Sequence, residues 1–599
     1  MGSDTNIPRL GATVLGEGST RFVVWAPHAT NIDVTINNRR QSLERDGEYW
    51  STVVDAVAHG DRYRFVVDGA ELPDPASRWQ PDGAHGPSAV VDESAFCWHD
   101  DDWVGVELAD TVLYEMHVGT FTADGTFDAA IDQLPRLQAL GITTIELMPV
   151  AAFPGERNWG YDGVFPFAVQ HSYGGPDALA RFVDAAHGSG LAVILDVVYN
   201  HLGPEGNVLG AYGPYFTDAH RTPWGDAVNV AGAGSDHVRR YFIENAVGWI
   251  RNFHLDGLRL DAVHAIVDPT PIPFVQELTA SVHSAAASAG RTALVTIESS
   301  ANDPRVVRPP DLAGWSCDAV WNDDVHHALR VALTGDRHEY YANYSGAVDL
   351  ARAWERRWVY SGQYSPGFDR RHGAPADDID HRRFIVFDTN HDHVGNTPAG
   401  ARLLADAPLD DPRHRLAAAA ILLSPFTPML FMGEEYGETA PFPYFVDHGD
   451  PELIEAVRAG RRSEFSGSDW SSEVADPADP ATFAAAVLDP TLAEREPHRS
   501  CLAMYTELLR VRRDAPVLTD PGAQQHVSIV GDTIFVVRST PTATASLIFN
   551  FSPQPVDHPA PAASDVIVFD TDDPQWGGAG HSLDTIGPWS ARLSMSTRS

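Results

Sequence analysis

The sequence predicts an α/β protein: a (β/α)8 TIM barrel with an N-terminal β-sandwich domain and a small C-terminal β-domain. A chain of 599 residues is too long for one hydrophobic core and should divide into several folding units. In its middle part, short apolar runs alternate with stretches of helical periodicity, which is typical of repeated βα units. Towards both ends, strand-like runs follow one another between Gly, Asp, Asn and Pro turns, which favours separate β-domains.

The first region, residues 1–95, is predicted to be an immunoglobulin-like β-sandwich. Its strand signals are short runs with turn residues between them, namely "TRFVVWAPHA", "NIDVTI", "YWSTVVDA" and "DRYRFVVDG". The Pro- and Gly-rich stretch "ELPDPASRWQPDGAHGPS" then indicates a connector. A barrel is expected to follow over residues 96–512.

Eight candidate strands can be counted in the barrel region: "TVLYEMHV", "GITTIELMPV", "LAVILDVVYNH", "GLRLDAV", "TALVTIES", "CDAVWND", "RFIVFDTNHD" and "PMLFMGEE". Several of these runs end in a polar or charged residue, at His117, His201, Asp261, Glu298, Asp392 and Glu434. Catalytic groups of such barrels lie at the C-terminal ends of the strands, so this distribution predicts an enzyme.

The last region, residues 513–599, is predicted to be the small C-terminal β-domain. It contains the strand-like runs "HVSIVGDTIFVVRS", "ATASLIFNFS" and "DVIVFDTD". Residues 466–497 are rich in Asp, Pro and Ala, and the sequence leaves open whether they form a loop or an irregular packing segment.

Composition excludes several function classes. The net charge of -40 disfavours nucleic acid and anionic membranes as partners, because both require a basic surface. The chain contains no lysine, which excludes Schiff-base chemistry and a P-loop lysine. Its three cysteines, Cys97, Cys317 and Cys501, match no zinc or redox spacing. The sequence shows neither a signal peptide nor an apolar run of about 18 residues, so a cytoplasmic protein is expected.

The segment "DGLRLDAVHAI" places charged residues inside an apolar strand. Strand alternation puts Arg259 and Asp261 on one face and Leu258 and Leu260 on the other, so the charged pair should point into the barrel. An adjacent arginine lowers the pKa of an aspartate, which suits a nucleophile, although a structural salt bridge is the alternative. Glu298 follows the next strand, and paired carboxylates are what glycosidic bond hydrolysis requires.

Four short segments, "DVVYNH", "GLRLDAVH", "TIES" and "TNHD", resemble the conserved regions of the α-amylase superfamily of glycoside hydrolases, and they occur in the same order. The resemblance implies that Asp261 is the nucleophile, Glu298 the general acid/base and Asp392 the transition-state stabiliser. It further implies a set of residues that hold the glucosyl ring or stack on it, namely His201, Arg259, His391 and Tyr161.

Longer segments, among them "GPYFTDAHRTPWGDAVN" and "MLFMGEEYGETAPFPYFVDH", resemble the maltooligosyltrehalose trehalohydrolases within that superfamily. These enzymes cleave the α-1,4 bond next to the trehalose end of a maltooligosyl trehalose. Contacts to the leaving sugar are then expected from rim residues, namely Trp224, Asp226, Asp323, Asp324, Glu434, Glu435 and His264. The sequence departs from the family pattern at Asp388 and His393, which add titratable groups near the predicted site.

The resemblance implies maltooligosyl trehalose and related α-1,4-glucans as partners, and no cofactor. A glycogen branching or debranching enzyme is the nearest alternative, and an inert amylase-like glucan-binding protein is a remote one. Some relatives bind structural calcium, a site that Asn200 would mark, but the sequence lacks a full ligand set and no metal is predicted. The oligomeric state is left open.

Overall fold

The computed structural model describes residues 8–597, except residue 17 and residues 466–473, 559–564 and 581. The undecided stretch 466–497 therefore lies partly outside the described residues. Its described part contains a short helix, Pro480–Ala485, and a 3-10 turn, Pro490–Glu494. No helix of the described residues is long and apolar enough to cross a membrane.

The N-terminal region forms the predicted β-sandwich from two sheets. One sheet contains, in spatial order, Gly11–Gly16, Ser19–Trp25, Tyr49–Asp55 and Glu44–Asp46. The other contains Arg39–Ser42, Ile32–Ile36, Arg62–Val67 and Ala70–Leu72, with Ser88–Ala89 paired to Arg62–Val67. Buried Phe22, Val34 and Phe65 belong to the shared core, as the alternation of apolar residues predicts.

Eight parallel strands form a closed barrel in the described residues, and all eight coincide with the runs predicted from the sequence. In order around the barrel they are Leu113–Met116, Thr144–Leu147, Ala192–Val197, Gly257–Leu260, Leu294–Ile297, Ala319–Trp321, Phe384–Val386 and Thr427–Phe431. Spatial order equals chain order, which is the topology that consecutive βα units produce. The predicted fold class is confirmed.

The α-helices of the described chain surround the barrel or shape its loops. They are Val118–Phe121, Phe127–Ile131, Leu134–Leu140, Gly175–Gly188, Leu209–Tyr212, Ser235–Asn252, Phe274–Ser288, Asp323–Thr334, Ala347–Arg356, His391–Gly395, Pro412–Leu422, Pro451–Glu464, Pro480–Ala485 and His498–Asp514. Three small hairpins are inserted between barrel elements, pairing Ala151–Ala152 with Phe165–Val169, Phe216–Thr222 with Gly225–Val228, and Tyr364–Ser365 with Arg370–Arg371.

The fourth barrel strand shows how alternation separates core from site. Leu258 and Leu260 are 0% and 2% exposed and join the large apolar core that includes the surrounding helices. Gly257 and Arg259 take the opposite orientation, towards the barrel interior. A Cβ on Gly257 would lie 2.2 Å from the carbonyl oxygen of Leu294, so only glycine allows the neighbouring strand to approach this closely.

The C-terminal β-domain is built on a five-stranded sheet with the order Gln524–Val530, Thr533–Ser539, Ala543–Asn550, Ser590–Thr597 and Val566–Asp570. A separate pair joins Val556–Asp557 to Thr585–Ile586. Helix His498–Asp514 precedes this domain, and its Arg512 donates to the carbonyl oxygens of Leu422 and Ser424 on the barrel side. The domain boundaries after residues 95 and 512 remain predictions.

Candidate active site

Three carboxylic acids predicted as catalytic lie at the C-terminal ends of barrel strands and line one cavity of about 620 Å³. Asp261 directly follows the fourth strand and Glu298 directly follows the fifth. Asp392 lies in the five-residue helix His391–Gly395 after the seventh strand. The barrel therefore brings together residues that are up to about 130 positions apart in the chain.

Local backbone features hold two of these acids at the rim. Ala262 adopts a left-handed conformation, with φ 40° and ψ 49°, so the chain turns sharply immediately after Asp261. The Asn390 side chain accepts a hydrogen bond from the backbone N–H of His393 and caps the helix that carries Asp392. Both turns leave the carboxyl groups facing the cavity.

Arg259 links the carboxylates through a single guanidinium that is 1% exposed. Its Nη1 donates to Asp196 Oδ2 at 2.7 Å and to Asp261 Oδ1 at 2.8 Å, and its Nη2 donates to Glu298 Oε2 at 2.6 Å. The Trp321 ring lies 4.1 Å from the guanidinium carbon. Arg259 thus contacts the acids beneath the cavity, so its effect on a bound sugar would be exerted through them.

The same surroundings shift the pKa values of Asp261 and Glu298 in opposite directions. Burial alone would raise the pKa of Asp261, but Arg259, His201 and a hydrogen bond from Asn200 lower it below its ordinary value. Burial raises the pKa of Glu298 to about 8, with help from the charge of Asp261 and against the opposing effect of Arg259. At neutral pH one group is an ionised carboxylate and the other carries a proton.

A second layer of side chains orients the nucleophile candidate. Asn200 Nδ2 donates to Asp261 Oδ2 at 2.6 Å, so the amide helps to hold the carboxylate in place. Asp196 Oδ2 accepts from both Arg259 and the hydroxyl of Tyr161, the latter at 2.6 Å. Burial raises the pKa of Asp196 to about 6, with the Arg259 charge opposing it. These contacts restrict Asp261 to one orientation.

Aromatic and imidazole rings form the walls of the cavity. Tyr161 stacks on His391 with the ring centres 5.1 Å apart, and His201 stacks on Trp224 at 4.7 Å with the planes within 9°. All four rings line the cavity. Flat apolar faces beside hydrogen-bonding nitrogens suit a pyranose ring, which has apolar faces and a polar perimeter.

Comparison with known proteins agrees with this geometry. Residues 96–211 match the family model of the alpha amylase catalytic domain, and residues 9–82 match carbohydrate-binding module 48, the isoamylase N-terminal domain. A malto-oligosyltrehalose trehalohydrolase from Saccharolobus solfataricus is 44% identical over 84% of this chain and 86% of its own length. One from Arthrobacter ramosus is 46% identical over 83% of this chain and 88% of its own. The chain belongs to the malto-oligosyltrehalose trehalohydrolase family.

A solved structure extends the likeness to the whole chain. The crystal structure of a Salmonella typhimurium protein that carries the name of an alpha amylase matches with a TM-score of 0.89 and 36% identity. The match covers 98% of this chain and 99% of that one. As a member of the trehalohydrolase family with an alpha amylase catalytic domain, the protein is a glycoside hydrolase, as predicted.

Not every rim residue predicted from the sequence reaches the cavity. Asp324 is 6% exposed, and its oxygens accept from Asn302 Nδ2 at 2.8 Å, from the Val359 backbone N–H at 2.7 Å and from the Tyr344 hydroxyl. It holds loops together, so this placement does not support its predicted contact with sugar. Its neighbour Asp323 lies closer to the catalytic acids: burial and the charge of Asp392 raise its pKa to about 7.

The acids after the eighth strand also lie away from the catalytic cavity. Glu434 lines a different cavity, accepts from the Tyr505 hydroxyl at 3.0 Å, and interacts with Asp388. Glu435 is fully buried and pairs with Arg136. The predicted leaving-sugar contacts at Glu434 and Glu435 are therefore not supported by the geometry.

Two of the predicted leaving-sugar residues lie at the outer rim of the cavity. Trp224 and His264 both line the cavity, and both are exposed. Partial desolvation of the imidazole at the cavity wall lowers the pKa of His264, although the nearby charge of Asp261 raises it, so His264 favours the neutral form at pH 7. Asp226 is exposed on the hairpin of Trp224, 3.7 Å from Arg221.

Several site residues were missed by the sequence reasoning. Asn396 Nδ2 donates to Asp392 Oδ1 at 2.8 Å, and Arg461 Nη1 donates to Asn396 Oδ1 at 3.0 Å. Arg461 comes from helix Pro451–Glu464, more than sixty residues after Asp392, and no local pattern marks it. Asp196 and Glu115, in contrast, interrupt buried strands as Arg259 does, and the sequence shows that signal.

Nothing in the described residues groups three or more His, Cys, Asp or Glu side chains in a way that could hold a metal ion. Asn200, which would mark a calcium site by resemblance, instead bonds both the carboxylate and the backbone carbonyl of Asp261.

Proposed function

We propose that the protein hydrolyses the α-1,4-glucosidic bond next to the trehalose end of maltooligosyl trehalose by a double displacement with net retention. One observation carries the mechanism: Asp261 and Glu298 share the Arg259 guanidinium, face one cavity and have pKa values shifted apart. Bridging by one guanidinium favours the short carboxyl separation of retaining enzymes, about 5 to 5.5 Å, over the about 6.5 to 9.5 Å of inverting ones.

In the first step Glu298, protonated below about pH 8, donates its proton to the glycosidic oxygen. Asp261, ionised because its pKa is lowered, attacks the anomeric carbon of the adjoining glucosyl unit. The bond from that carbon to the glycosidic oxygen breaks and trehalose leaves. A covalent glucosyl ester on Asp261 remains.

In the second step Glu298, now a carboxylate, takes a proton from water as the water attacks the anomeric carbon. The bond to Asp261 breaks, the maltooligosaccharide is released with the α configuration, and both acids return to their starting states. Asp392 contributes by binding the ring hydroxyls more tightly as the oxocarbenium-like state forms. Asn396 orients Asp392 for that role through its hydrogen bond at 2.8 Å.

The choice of leaving group rests on the family relationship, because the relatives named malto-oligosyltrehalose trehalohydrolase match most of the chain. The experiment is incubation with maltopentaosyl trehalose and, separately, with amylose. Free trehalose from the first substrate, with the α-anomer of the maltooligosaccharide detected first by proton NMR, is the expected result. New branch points in amylose, or release of the β-anomer, would contradict the proposal.

A further inference from the structure

Glu115 lies inside the barrel, one layer beneath the catalytic cavity. It belongs to the first barrel strand, Leu113–Met116, and is 1% exposed. Both of its carboxylate oxygens are directed to one residue: Oε2 accepts from the backbone N–H of His391 at 2.9 Å, and Oε1 accepts from His391 Nδ1 at 2.5 Å. A buried carboxylate with two charge-assisted contacts to one residue fixes the position of that residue strongly.

The two ring nitrogens of His391 have different surroundings. Nδ1 is occupied by Glu115, and the ring lines the catalytic cavity beside Asp392 and Glu298. Tyr161 stacks on the ring, with the centres 5.1 Å apart, and the ring of Trp159 packs at right angles to it. The ring is therefore held on three sides, and Nε2 is the nitrogen left to meet a ligand in the cavity.

We propose that Glu115 is a positioning residue that holds His391 as an imidazolium, so that Nε2–H serves as a cationic donor to a hydroxyl of the glucosyl unit bound between Asp261 and Asp392. This inference rests on the proposed function, because it assigns a charge state to the same site. Hydrogen bonds from an ionised donor are roughly twice as strong as those from a neutral one.

The groups around His391 determine whether the ring keeps its second proton. Titratable and charged side chains act on it from every neighbouring element, namely Glu115, His117, Glu146, Tyr161, Arg259, Asp323, Asp392 and His393. Burial and Arg259 lower the pKa of His391, whereas Glu115 and Asp392 raise it, and the net result is about 9. His391 is thus a cationic group of the site, in addition to the arginines.

A neighbouring glutamate provides a contrast. Glu146 pairs in register with Glu115 on the adjacent strand, but its Oε2 has no hydrogen-bond partner. Burial and the charge of Glu115 raise the pKa of Glu146 well above its ordinary value, which favours its neutral form. The interior therefore contains two glutamates of similar burial, of which Glu115 alone is bonded to the His391 ring.

Glu115→Gln tests the charge, and Glu146→Gln is the matched control because it replaces an equally buried glutamate that has no bond to the His391 ring. In Glu115→Gln, burial and Arg259 would bring the His391 pKa below its ordinary value of 6.5. We expect kcat/KM to fall about tenfold at pH 7.5, and the deficit to shrink at pH 5.5 as the imidazole regains its proton. Glu146→Gln should stay within about twofold of the parent protein at both pH values.

A loss that is equal at both pH values would show that Glu115 only supports the ring and would overturn the inference. So would a comparable pH-dependent loss in Glu146→Gln. Both of these tests measure activity. A second experiment therefore follows the pH titration of the full-length parent protein by NMR, with 13C at histidine Cε1. The His391 signal is assigned by its disappearance in His391→Asn.

We expect that signal to titrate with a pKa above 8. A pKa below 7 would overturn the inference even if Glu115→Gln failed to fold. The titration needs no substrate, so it separates this inference from the proposed function: failure to release trehalose would sink the latter and leave the titration result standing.

Discussion

Two aspartates border the same barrel strand, and they serve different purposes. Asp256 comes immediately before Gly257–Leu260, and Asp261 comes immediately after it. Both are buried, at 1% and 8% exposure, and both contact a residue that can carry positive charge, His187 and Arg259 respectively. Burial and pairing with a base therefore do not distinguish a structural carboxylate from a catalytic one.

The difference lies in what else each carboxylate meets. Asp256 Oδ1 accepts from Trp103 Nε1 at 2.7 Å, and Oδ2 accepts from His187 Nε2 and from the Val193 backbone N–H, both at 2.9 Å. These three protein donors satisfy both carboxylate oxygens of Asp256. Asp261 also has protein donors, but its side chain borders the cavity of about 620 Å³. An acid at the edge of a cavity can react, whereas a saturated one stabilises the fold.

Asp261→Asn is the strongest test of the difference between the two aspartates. Loss of the nucleophile should lower kcat by about 10⁴-fold or more, because the covalent intermediate cannot form. The amide is isosteric with the carboxylate, so the midpoint of thermal unfolding should stay within a few degrees of the parent value. Trehalose release from maltopentaosyl trehalose and a melting curve on the same preparation are the two measurements. Activity within tenfold of the parent would contradict the assignment.

Glu298→Gln should produce the next largest effect, a loss of about 10² to 10⁴ in kcat. In the parent protein, Glu298 must be protonated to donate, and burial raises its pKa to about 8. The pH profile of kcat/KM should therefore fall as pH rises through about 8. The acid side should stay flat until Asp261 is protonated, below the ordinary pKa of an aspartate.

The fall of kcat/KM as pH rises through about 8 provides the control for that variant. It should be absent from the residual activity of Glu298→Gln, because glutamine does not titrate. A profile of unchanged shape in the variant would mean that a different group supplies the proton.

Asp256→Ala should lower the stability and leave kcat nearly unchanged, which is the reverse of the effect expected for Asp261→Asn. It removes one of the two carboxylate partners of the 1% exposed His187 side chain, leaving only Asp100, and leaves Trp103 Nε1 without an acceptor. Breaking a buried pair in this way typically costs about 3 to 5 kcal/mol of stability. Urea unfolding should show the loss, while kcat of the folded fraction at low temperature stays near the parent value. A large kcat defect without destabilisation would invalidate the distinction between the two aspartates.

The sequence predicted all eight barrel strands because each is a short buried run, and several of these runs end in a polar or charged residue. It predicted the orientation of Arg259 and Asp261 because alternation on a strand depends only on spacing. The same reasoning applied to "LYEMH" and "TIEL" would have placed Glu115 and Glu146 in the interior, since each interrupts an apolar strand. That part of the site was available from the sequence and was overlooked.

Other parts of the site could not be derived from local patterns. The motif "WNDD" places Asp323 and Asp324 at the start of a helix, where successive residues point about 100° apart. Sequence alone does not determine which of the two turns towards the cavity, and Asp324 turns into the loop network. Arg461 reaches Asn396 only because helix Pro451–Glu464 packs over the rim, a tertiary contact without a local signal.

The smallest effect is expected at the outer wall of the cavity, farthest from both aspartates. Trp224 is 49% exposed, lines the cavity and stacks on His201, so the rest of its ring is open to a bound sugar. Removing the ring in Trp224→Ala should raise KM for maltopentaosyl trehalose about fivefold, in line with about 1 kcal/mol for an aromatic contact, and should change kcat little.

Two matched variants on the same hairpin make that prediction specific. Trp224→Phe should recover most of the affinity because it restores an aromatic face, and Asp226→Ala should leave KM unchanged because Asp226 is exposed and pairs only loosely with Arg221. An equal fall in kcat for Trp224→Ala would indicate that the ring acts through His201 on the sugar that is attacked. In that case Trp224 would contribute to the chemical step at Asp261 as well as to substrate binding.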